Sequence, residues 1–511
     1  MKADRIEERL SRSKSLSLST VQLKTADYDL YNRLSKVWII FSIIFSIHIT
    51  LNLIVLCYSS SLMSLDTSSI SLGLFSICSA LHSISFANAF VNRVGVKYSL
   101  IIMLVGTTIL FVAFYVAAIN YKYHYLLCII GYSIAGLTFS LGDAIFNLYY
   151  KKIGDEIVDS IGGRSGGKAL QDVQQTLSSK FNIVLQSILL VSFLLLSILP
   201  LLASYSLISL LGLFVALSSL NCILGLLLFD SLGLSGSNEV EWQQDKRAIR
   251  DLLKADARVL LIMPYYVSFS VSLALICYFY NDVIITNEDS PSVGEVYLGL
   301  CESFVILVSS TSSVLFRYVA TQFIWGPHFI VQFGTICSIT ITLFLLLMPI
   351  DALRGFINII ILKGLLGLNI GCFLTAGRSI ISTHFATGES MYAAQSLSLF
   401  FSAFTGGIFF FLINYLNISK LSTIVISFGV FAVLVYHVFM RNVERGDDDK
   451  KPITYSHLVI CCCENPAYSS VNDDETRCDR EDSLGVSIKG FSGDYPDNRG
   501  LIEKLVSEEE R

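Results

Sequence analysis

Long apolar segments alternate with short polar ones along most of this chain of 511 residues. A helix that crosses the hydrocarbon core of a bilayer needs about 20 mostly apolar residues. The pattern predicts twelve such helices, at 37–58, 68–91, 98–119, 124–150, 181–203, 205–229, 258–280, 293–316, 324–349, 354–382, 390–415 and 419–440. Only helices and closed barrels satisfy their backbone hydrogen bonds in lipid, and uninterrupted segments of this length are typical of helices. We therefore predict an all-α polytopic membrane protein.

Lysine and arginine are distributed unevenly between alternate polar segments. If residues 1–36 are cytosolic, most of these basic residues fall in segments on the same side, and the opposite segments contain only Lys122, Arg354 and Lys420. Cytosolic segments of membrane proteins carry this excess of positive charge. The distribution predicts an even number of helices and two cytosolic termini, because a missed helix would invert the pattern from that point onward.

The composition and the motifs of the chain argue against a soluble protein and against an enzyme. The chain is 53% hydrophobic and 15% charged, whereas soluble proteins carry about 25% charged residues. Most of the twelve cysteines lie singly in apolar segments, where they behave as small hydrophobic residues. We found no phosphate-binding loop, zinc-type spacing or nucleophile motif. The sequence therefore predicts a non-enzyme with the bilayer as its environment and without a metal, a cofactor or a nucleic-acid partner.

The longest interior break, at 230–257, has six predicted helices before it and six after it. This layout is typical of transporters built from two parallel repeats. A second polar segment, 151–180, contains two glycine pairs and predicts a flexible loop. The predicted domains are a cytosolic N-terminal segment, a first six-helix bundle, a cytosolic linker, a second six-helix bundle and a disordered tail, at 1–36, 37–229, 230–257, 258–440 and 441–511.

Several ionisable and polar residues fall inside the predicted helices. A charge at a helix centre costs about 2.5–3.5 kcal/mol on insertion scales, so it usually faces a cavity or a partner. The pairs Asp143 with Asn147 and His48 with Asn52 are each four residues apart and share a helix face. The candidates for a cavity or gating site are Asp143, Asn147, Arg378, Lys363, Glu302, His48 and Asn52. The alternative for each is a structural ion pair, a packing residue or a side chain that reaches the interface.

The turn between the second and third helices reads Asn92-Arg93-Val94-Gly95-Val96-Lys97. It resembles the loop signature of the major facilitator superfamily, with asparagine where that family prefers aspartate. The stretches 67–115, 252–279 and 388–421 resemble the uncoordinated-93-like branch of the superfamily. The resemblance implies two six-helix bundles that move a small solute or ion, with the first, fourth, seventh and tenth helices around a central cavity. It also implies a possible pairing of Asp143 with Arg378 between the bundles.

A second function stays open from the same resemblance. The branch includes proteins implicated in regulating potassium channels and in escorting membrane receptors. The altered loop signature, with Asn92 in place of aspartate, fits such a role. The alternative prediction is therefore a non-transporting membrane regulator or chaperone with a channel or receptor as its partner.

The acidic tail carries three short patterns that resemble sorting signals. They are Tyr455 with Leu458, Asn465 and Pro466 with Tyr468, and Leu501 with Ile502. Clathrin adaptors read signals of this kind, so the tail favours the plasma membrane or endolysosomal membranes. The alternative is a solvated tail with incidental matches.

Overall fold

The computed structural model describes residues 25–445 with gaps at 64, 121–122, 161–167, 203–206, 230–248, 255, 278–279, 282–290, 324–325, 378–379, 382–383 and 386–387. Within the described part, twelve helices are long and apolar enough to cross a membrane, which confirms the all-α prediction. They are α1 (Thr25–Leu62), α2 (Leu65–His82), α3 (Val96–Ile119), α4 (His124–Ser160), α5 (Lys168–Leu202), α6 (Leu207–Phe229), α7 (Arg258–Ala274), α8 (Pro291–Gln322), α9 (Gly326–Leu347), α10 (Phe356–Cys372), α11 (Gly388–Ile413) and α12 (Ile418–Arg445).

Short helical segments lie between some of these helices. A π-helical turn at Ser83–Ala87 and a helix at Asn88–Val94 continue α2, and a π-helical turn at Phe373–Gly377 continues α10. A short helix at Ile350–Leu353 precedes α10. Gly95 separates the extended α2 from α3 and has φ 89°. Since L-residues rarely adopt positive φ, glycine is the residue that this sharp turn favours.

Several helices extend beyond the predicted spans. Helix α1 begins at Thr25, ahead of the predicted start at residue 37. Helix α4 continues to Ser160 and α5 begins at Lys168, so the prediction of a flexible loop was wrong for 151–160 and for 168–180. Residues 161–167 lie outside the described part of the chain. Hydropathy locates the part of a helix that lies in lipid, whereas a helix can continue into water wherever its backbone hydrogen bonds continue. The hydropathy pattern therefore predicts the membrane-spanning part of each helix but does not predict where the helix ends.

The helix contacts repeat when six is added to each helix number. In the first half α1 packs on α5 and α6, α3 packs on α4 and α6, and α2 packs on α4. In the second half α7 packs on α11 and α12, α9 packs on α10 and α12, and α8 packs on α10. The main contacts between the halves, α2 with α11 and α5 with α8, are exchanged by the same operation. The chain therefore forms two six-helix bundles that are joined along two pairs of helices.

Close approach of backbones marks the contact between α2 and α11. A Cβ atom added to Gly407 of α11 would lie 2.7 Å from a side-chain atom of Ile77 and 3.0 Å from the carbonyl oxygen of Gly73. Small residues at helix interfaces allow this proximity in membrane proteins, where packing replaces the hydrophobic effect as the force between helices. The backbones of α2 and α11 therefore lie close together at this contact between the bundles.

A bidentate ion pair fixes the entry to α7. The Asp256 carboxylate accepts hydrogen bonds from Arg258 Nε at 2.9 Å and from Arg258 Nη2 at 2.6 Å. The backbone N–H of Arg258, at the start of the helix, also donates to Asp256 Oδ1 at 3.0 Å. Both side chains are mostly buried, at 8% and 15% exposure. Carboxylates near a helix N-terminus are further stabilised by the helix dipole.

We expect Asp256→Asn to lower the free energy of unfolding by about 1–3 kcal/mol, since a charged hydrogen-bond acceptor is lost from a mostly buried site. Thermal unfolding of the purified protein in detergent measures the change. The matched control is Asp251→Asn, because Asp251 lies 3.7 Å from Arg250 at 59% exposure and exposed pairs contribute about 0–1 kcal/mol. Equal destabilisation by both variants would contradict a special role for the Asp256 pair.

Candidate functional site

A cavity of about 220 Å³ lies between helices of the two bundles. The first bundle contributes residues of α1, α2, α3 and α4 to its wall, and the second contributes residues of α7 and α11. Four aromatic rings line it, those of Phe75, Tyr132, Phe139 and Phe410. Its polar wall atoms belong to Asn52, Ser76, Tyr132 and Ser270. Among the described residues that line this cavity, none is charged.

Two predicted candidates, His48 and Asn52, form a hydrogen-bonded network at the wall. Asn52 Nδ2 donates to the carbonyl oxygen of His48 at 2.9 Å and to Thr107 Oγ1 at 3.3 Å. Thr107 Oγ1 and His48 Nδ1 share a hydrogen bond of 2.9 Å. The His48 ring also lies 5.8 Å from the ring of Phe139, which lines the cavity. This network fixes the position of the Asn52 amide, and Asn52 is the member that reaches the cavity.

Two other candidates, Lys363 and Glu302, form an ion pair inside the second bundle. Lys363 Nζ on α10 donates to Glu302 Oε1 on α8 and, at 2.6 Å, to Asn281 Oδ1. Asn281 Nδ2 donates to Glu302 Oε1 at 3.0 Å. Lys363 and Asn281 are 0% exposed and Glu302 is 3% exposed. The three side chains therefore neutralise and satisfy one another, and none of them is among the residues that line the cavity.

Asn281 was missing from the residues that the sequence singled out. It falls in the segment 281–292, whose composition predicts a polar loop. The structure instead places it on a π-helical turn that follows α7, between the two charged residues. No local sequence signal identifies it, because its two charged partners are 21 and 82 residues away along the chain.

A pair of thiols links this cluster to the first bundle. The Cys57 thiol of α1 lies beside Cys277, which follows α7, and close to Glu302 and Lys363. Both cysteines are buried, at 2% and 3% exposure, and both are free thiols. From its position in an apolar segment, each cysteine is predicted to behave as a small hydrophobic residue. No local sequence pattern identifies the two cysteines as neighbours.

The remaining intramembrane candidates have separate positions. Asp143 and Asn147 lie on α4 and are partly buried, and neither is among the residues that line the cavity. Arg378 lies outside the described residues, and so does its predicted pairing with Asp143. The assignment of Asp143 and Arg378 to a gate therefore stays a prediction.

Residues of the predicted loop signature surround the turn between α2 and α3. Arg93 is exposed at the end of the extended α2, and Lys97 lies in the first turn of α3. The backbone N–H of Gly95 donates to the Val91 carbonyl oxygen at 2.9 Å, and the Gly95 carbonyl oxygen accepts from the N–H of Ser99 at 3.1 Å. Backbone hydrogen bonds thus hold the turn on both sides. The Asn92 side chain lies outside the described residues.

The sorting-like residues of the tail also lie outside the described part of the chain. They are Tyr455, Leu458, Asn465, Pro466, Tyr468, Leu501 and Ile502.

His384 lies between α10 and α11, in contact with the aromatic residues that close that end of the second bundle. Its ring is 5.7 Å from that of His328 and 5.2 Å from that of Phe439. Burial, aided by the nearby His328 and Arg258, lowers the pKa of His384 to about 4. The imidazole is therefore neutral at physiological pH and acts as a packing residue.

Comparison with solved structures places this architecture. The crystal structure of the D-xylose–proton symporter is 15% identical, with a TM-score of 0.53 over 82% of this chain and 99% of that one. The nucleoside transporter NupG is 14% identical, with a TM-score of 0.51 over 80% of this chain and 98% of that one. A mutant form of NupG gives the same identity and TM-score over 79% and 99% of the two chains. No protein-family model and no curated protein sequence matches this chain. Its twelve helices, arranged as two six-helix bundles, thus have the fold of the major facilitator superfamily.

Proposed function

We propose that this protein moves a small solute across the membrane by alternating access between its two six-helix bundles. The observation that carries the proposal is the cavity between the bundles, whose wall combines α1, α2 and α4 with α7 and α11. A site at the interface of two repeats is exposed to alternate sides when one bundle rocks against the other. The structural neighbours of this chain include a nucleoside transporter and a D-xylose–proton symporter.

The contacts around the cavity suit a rigid-body motion. The Lys363, Glu302 and Asn281 cluster ties α8 and α10 to the end of α7, so these three elements move as one unit. Between the bundles, α2 packs on α11 and α5 packs on α8. Packed interfaces of this kind change by rotation or sliding between discrete arrangements. In this proposal Asp143 and Arg378 remain candidates for gating.

The finer assignments belong to the same proposal. We place both termini on the cytosolic side, in a plasma or endolysosomal membrane, because basic residues favour that orientation and the tail resembles sorting signals. We place the chain in the uncoordinated-93-like branch on the basis of the loop signature and the Asp256 and Arg258 entry to α7. Clathrin adaptors are the proposed partners of the tail.

Uptake into proteoliposomes tests the transport proposal. The protein is reconstituted and offered radiolabelled uridine, D-xylose and benzamide, with and without a pH gradient. We expect at least one of them to enter faster than into protein-free liposomes. Ala274→Trp or Ser76→Trp would fill the cavity and reduce that uptake by about ten-fold or more, because close-packed sites do not accommodate added atoms.

The matched control is Val314→Trp. The side chain of Val314 is 73% exposed on α8, away from the cavity, so uptake should be retained. Uptake of none of the three solutes, or equal loss in Val314→Trp and Ala274→Trp, would count against transport through this cavity. Co-purification of a channel or receptor that fails without this chain would instead support the regulator alternative.

A further inference from the structure

The uncharged wall of the cavity restricts the chemistry of its ligand. We propose that the cavity binds a neutral, mainly apolar and planar solute that donates one hydrogen bond to the side-chain oxygen of Asn52. This inference rests on the proposed function for the identity of the ligand as a transported solute. The binding site itself is argued from the cavity.

No described side chain on the wall could balance a ligand charge. The charged side chains of Lys363 and Glu302, inside the second bundle, already bond to each other and to Asn281. An isolated ion transferred from water to an apolar site is strongly disfavoured unless it gains a partner of opposite charge. A carboxylate, phosphate or ammonium ligand would therefore lose its hydration without compensation.

The polar groups of the wall are few, and two of them already donate hydrogen bonds within the protein. Asn52 Nδ2 donates within the His48 and Thr107 network, and the Ser270 hydroxyl donates to the Ser402 carbonyl oxygen at 2.8 Å. Asn52 Oδ1 accepts no hydrogen bond from any described residue. The wall therefore offers a fixed acceptor, and a solute that donates one hydrogen bond satisfies it.

A polyhydroxylated solute fits this wall poorly. A buried hydroxyl without a hydrogen-bond partner is costly, and the rings of Phe75, Phe139 and Phe410 on the cavity wall supply no such partner. The rings of Phe75 and Phe139 lie 5.4 Å apart, and the ring of Phe75 meets that of Tyr132 edge-on at 6.3 Å. Rings in these arrangements present apolar faces and edges that suit another planar ring. The cavity therefore favours an aromatic ligand over a sugar.

The volume sets the size of the ligand. The cavity of about 220 Å³ is smaller than the roughly 300–1,000 Å³ of sites that take drug-sized ligands. A single ring with one small polar substituent is thus the appropriate scale. Benzamide has this size, and its amide N–H groups are the required donors.

Three probes of the same shape separate charge from size, namely benzamide, the benzamidinium cation and the benzoate anion. Their binding to the full-length protein in detergent is measured at pH 7 by equilibrium dialysis of the radiolabelled compounds. We expect benzamide to bind at least about ten-fold more tightly than either ion, because both ions lose hydration without gaining a counter-charge. Binding of either ion as tightly as benzamide, or binding of none of the three, would overturn the proposal.

A carboxylate placed on the wall should reverse this preference. In Asn52→Asp, and separately in Ser76→Asp, we expect the ratio of benzamidinium to benzamide affinity to rise by at least about ten-fold, since an opposite charge now faces the ligand. The matched control is Asn358→Asp, because Asn358 donates to the Ala352 carbonyl oxygen at 2.7 Å near the start of α10, away from the cavity. The ratio should not change there. An unchanged ratio in both wall variants that fold would refute the assignment of the site.

Binding in detergent does not require movement of the bundles, so the two proposals can fail separately. Benzamide binding without uptake of any solute would leave the site in place and remove the transport proposal. Uptake of D-xylose with no benzamide binding would do the reverse.

Discussion

Glu302→Gln is expected to lower the stability of the protein by about 3–5 kcal/mol, because it leaves the Lys363 ammonium buried without its counter-charge. Lys363 is 0% exposed and has Glu302 and Asn281 as its hydrogen-bond acceptors. The amide of glutamine keeps the size of the side chain and removes only the charge. Lys363→Met should cost a similar amount, since the Glu302 carboxylate then stays buried and unpaired. Thermal unfolding in detergent, followed by size-exclusion elution, measures both variants.

The double variant Glu302→Gln with Lys363→Met is expected to recover most of the loss. Replacing both members of a buried ion pair is often nearly neutral, whereas removing one member is strongly destabilising. The control is Glu156→Gln, because Glu156 is 46% exposed and lies 4.0 Å from Lys152, so its loss should matter little. If the double variant were as unstable as the single ones, or if the single ones were harmless, the pair would not be structural.

Oxidation of Cys57 and Cys277 to a disulfide is expected to reduce uptake by about ten-fold or more. The two thiols, one from each bundle, lie beside each other. Copper(II) phenanthroline would accept their two electrons, their two protons would pass to solvent, and an S–S bond would form. A covalent bond between Cys57 and Cys277 prevents the bundles from separating at this contact, as rocking requires. Uptake is measured before oxidation, after oxidation and after reduction with dithiothreitol. Mass spectrometry of the linked peptides verifies that the disulfide has formed.

The variant Cys57→Ser should be insensitive to the oxidant, and Cys78→Ser should remain sensitive. Cys78 is a partly buried free thiol on α2 and is not part of the pair. Inhibition that persists in Cys57→Ser would assign the effect to other thiols. Full uptake with the disulfide formed would contradict rocking of the bundles at this point.

The predicted polar candidates illustrate what a sequence can and cannot locate. Lys363 and Glu302 were identified because a charge inside an apolar helix is costly wherever it lies. Their pairing, and the part played by Asn281, depend on the packing of α8 and α10 against the end of α7. His48 and Asn52 share a face because they are four residues apart, yet only the position of Thr107 on α3 completes their network.

The sequence put forward both charged and neutral polar residues as candidates for a central site. Of these, Asn52 lines the described cavity, whose wall is uncharged and largely aromatic. Phe75, Phe139 and Phe410 give no distinctive signal, since aromatic residues are common throughout membrane helices. Their convergence follows from the contacts of α2 with α4 and α11.

The sequence by itself determined that the chain crosses the bilayer, how many times it does so and where its long apolar helices fall. Insertion depends on the hydrophobicity of each segment of about 20 residues, which is a local property. The tertiary structure alone decided which buried groups satisfy one another and what faces the cavity. Glu302 and Lys363 are separated by 61 residues, and Cys57 and Cys277 belong to different bundles. Such contacts arise only when helices pack, because packing brings together residues that no local pattern connects.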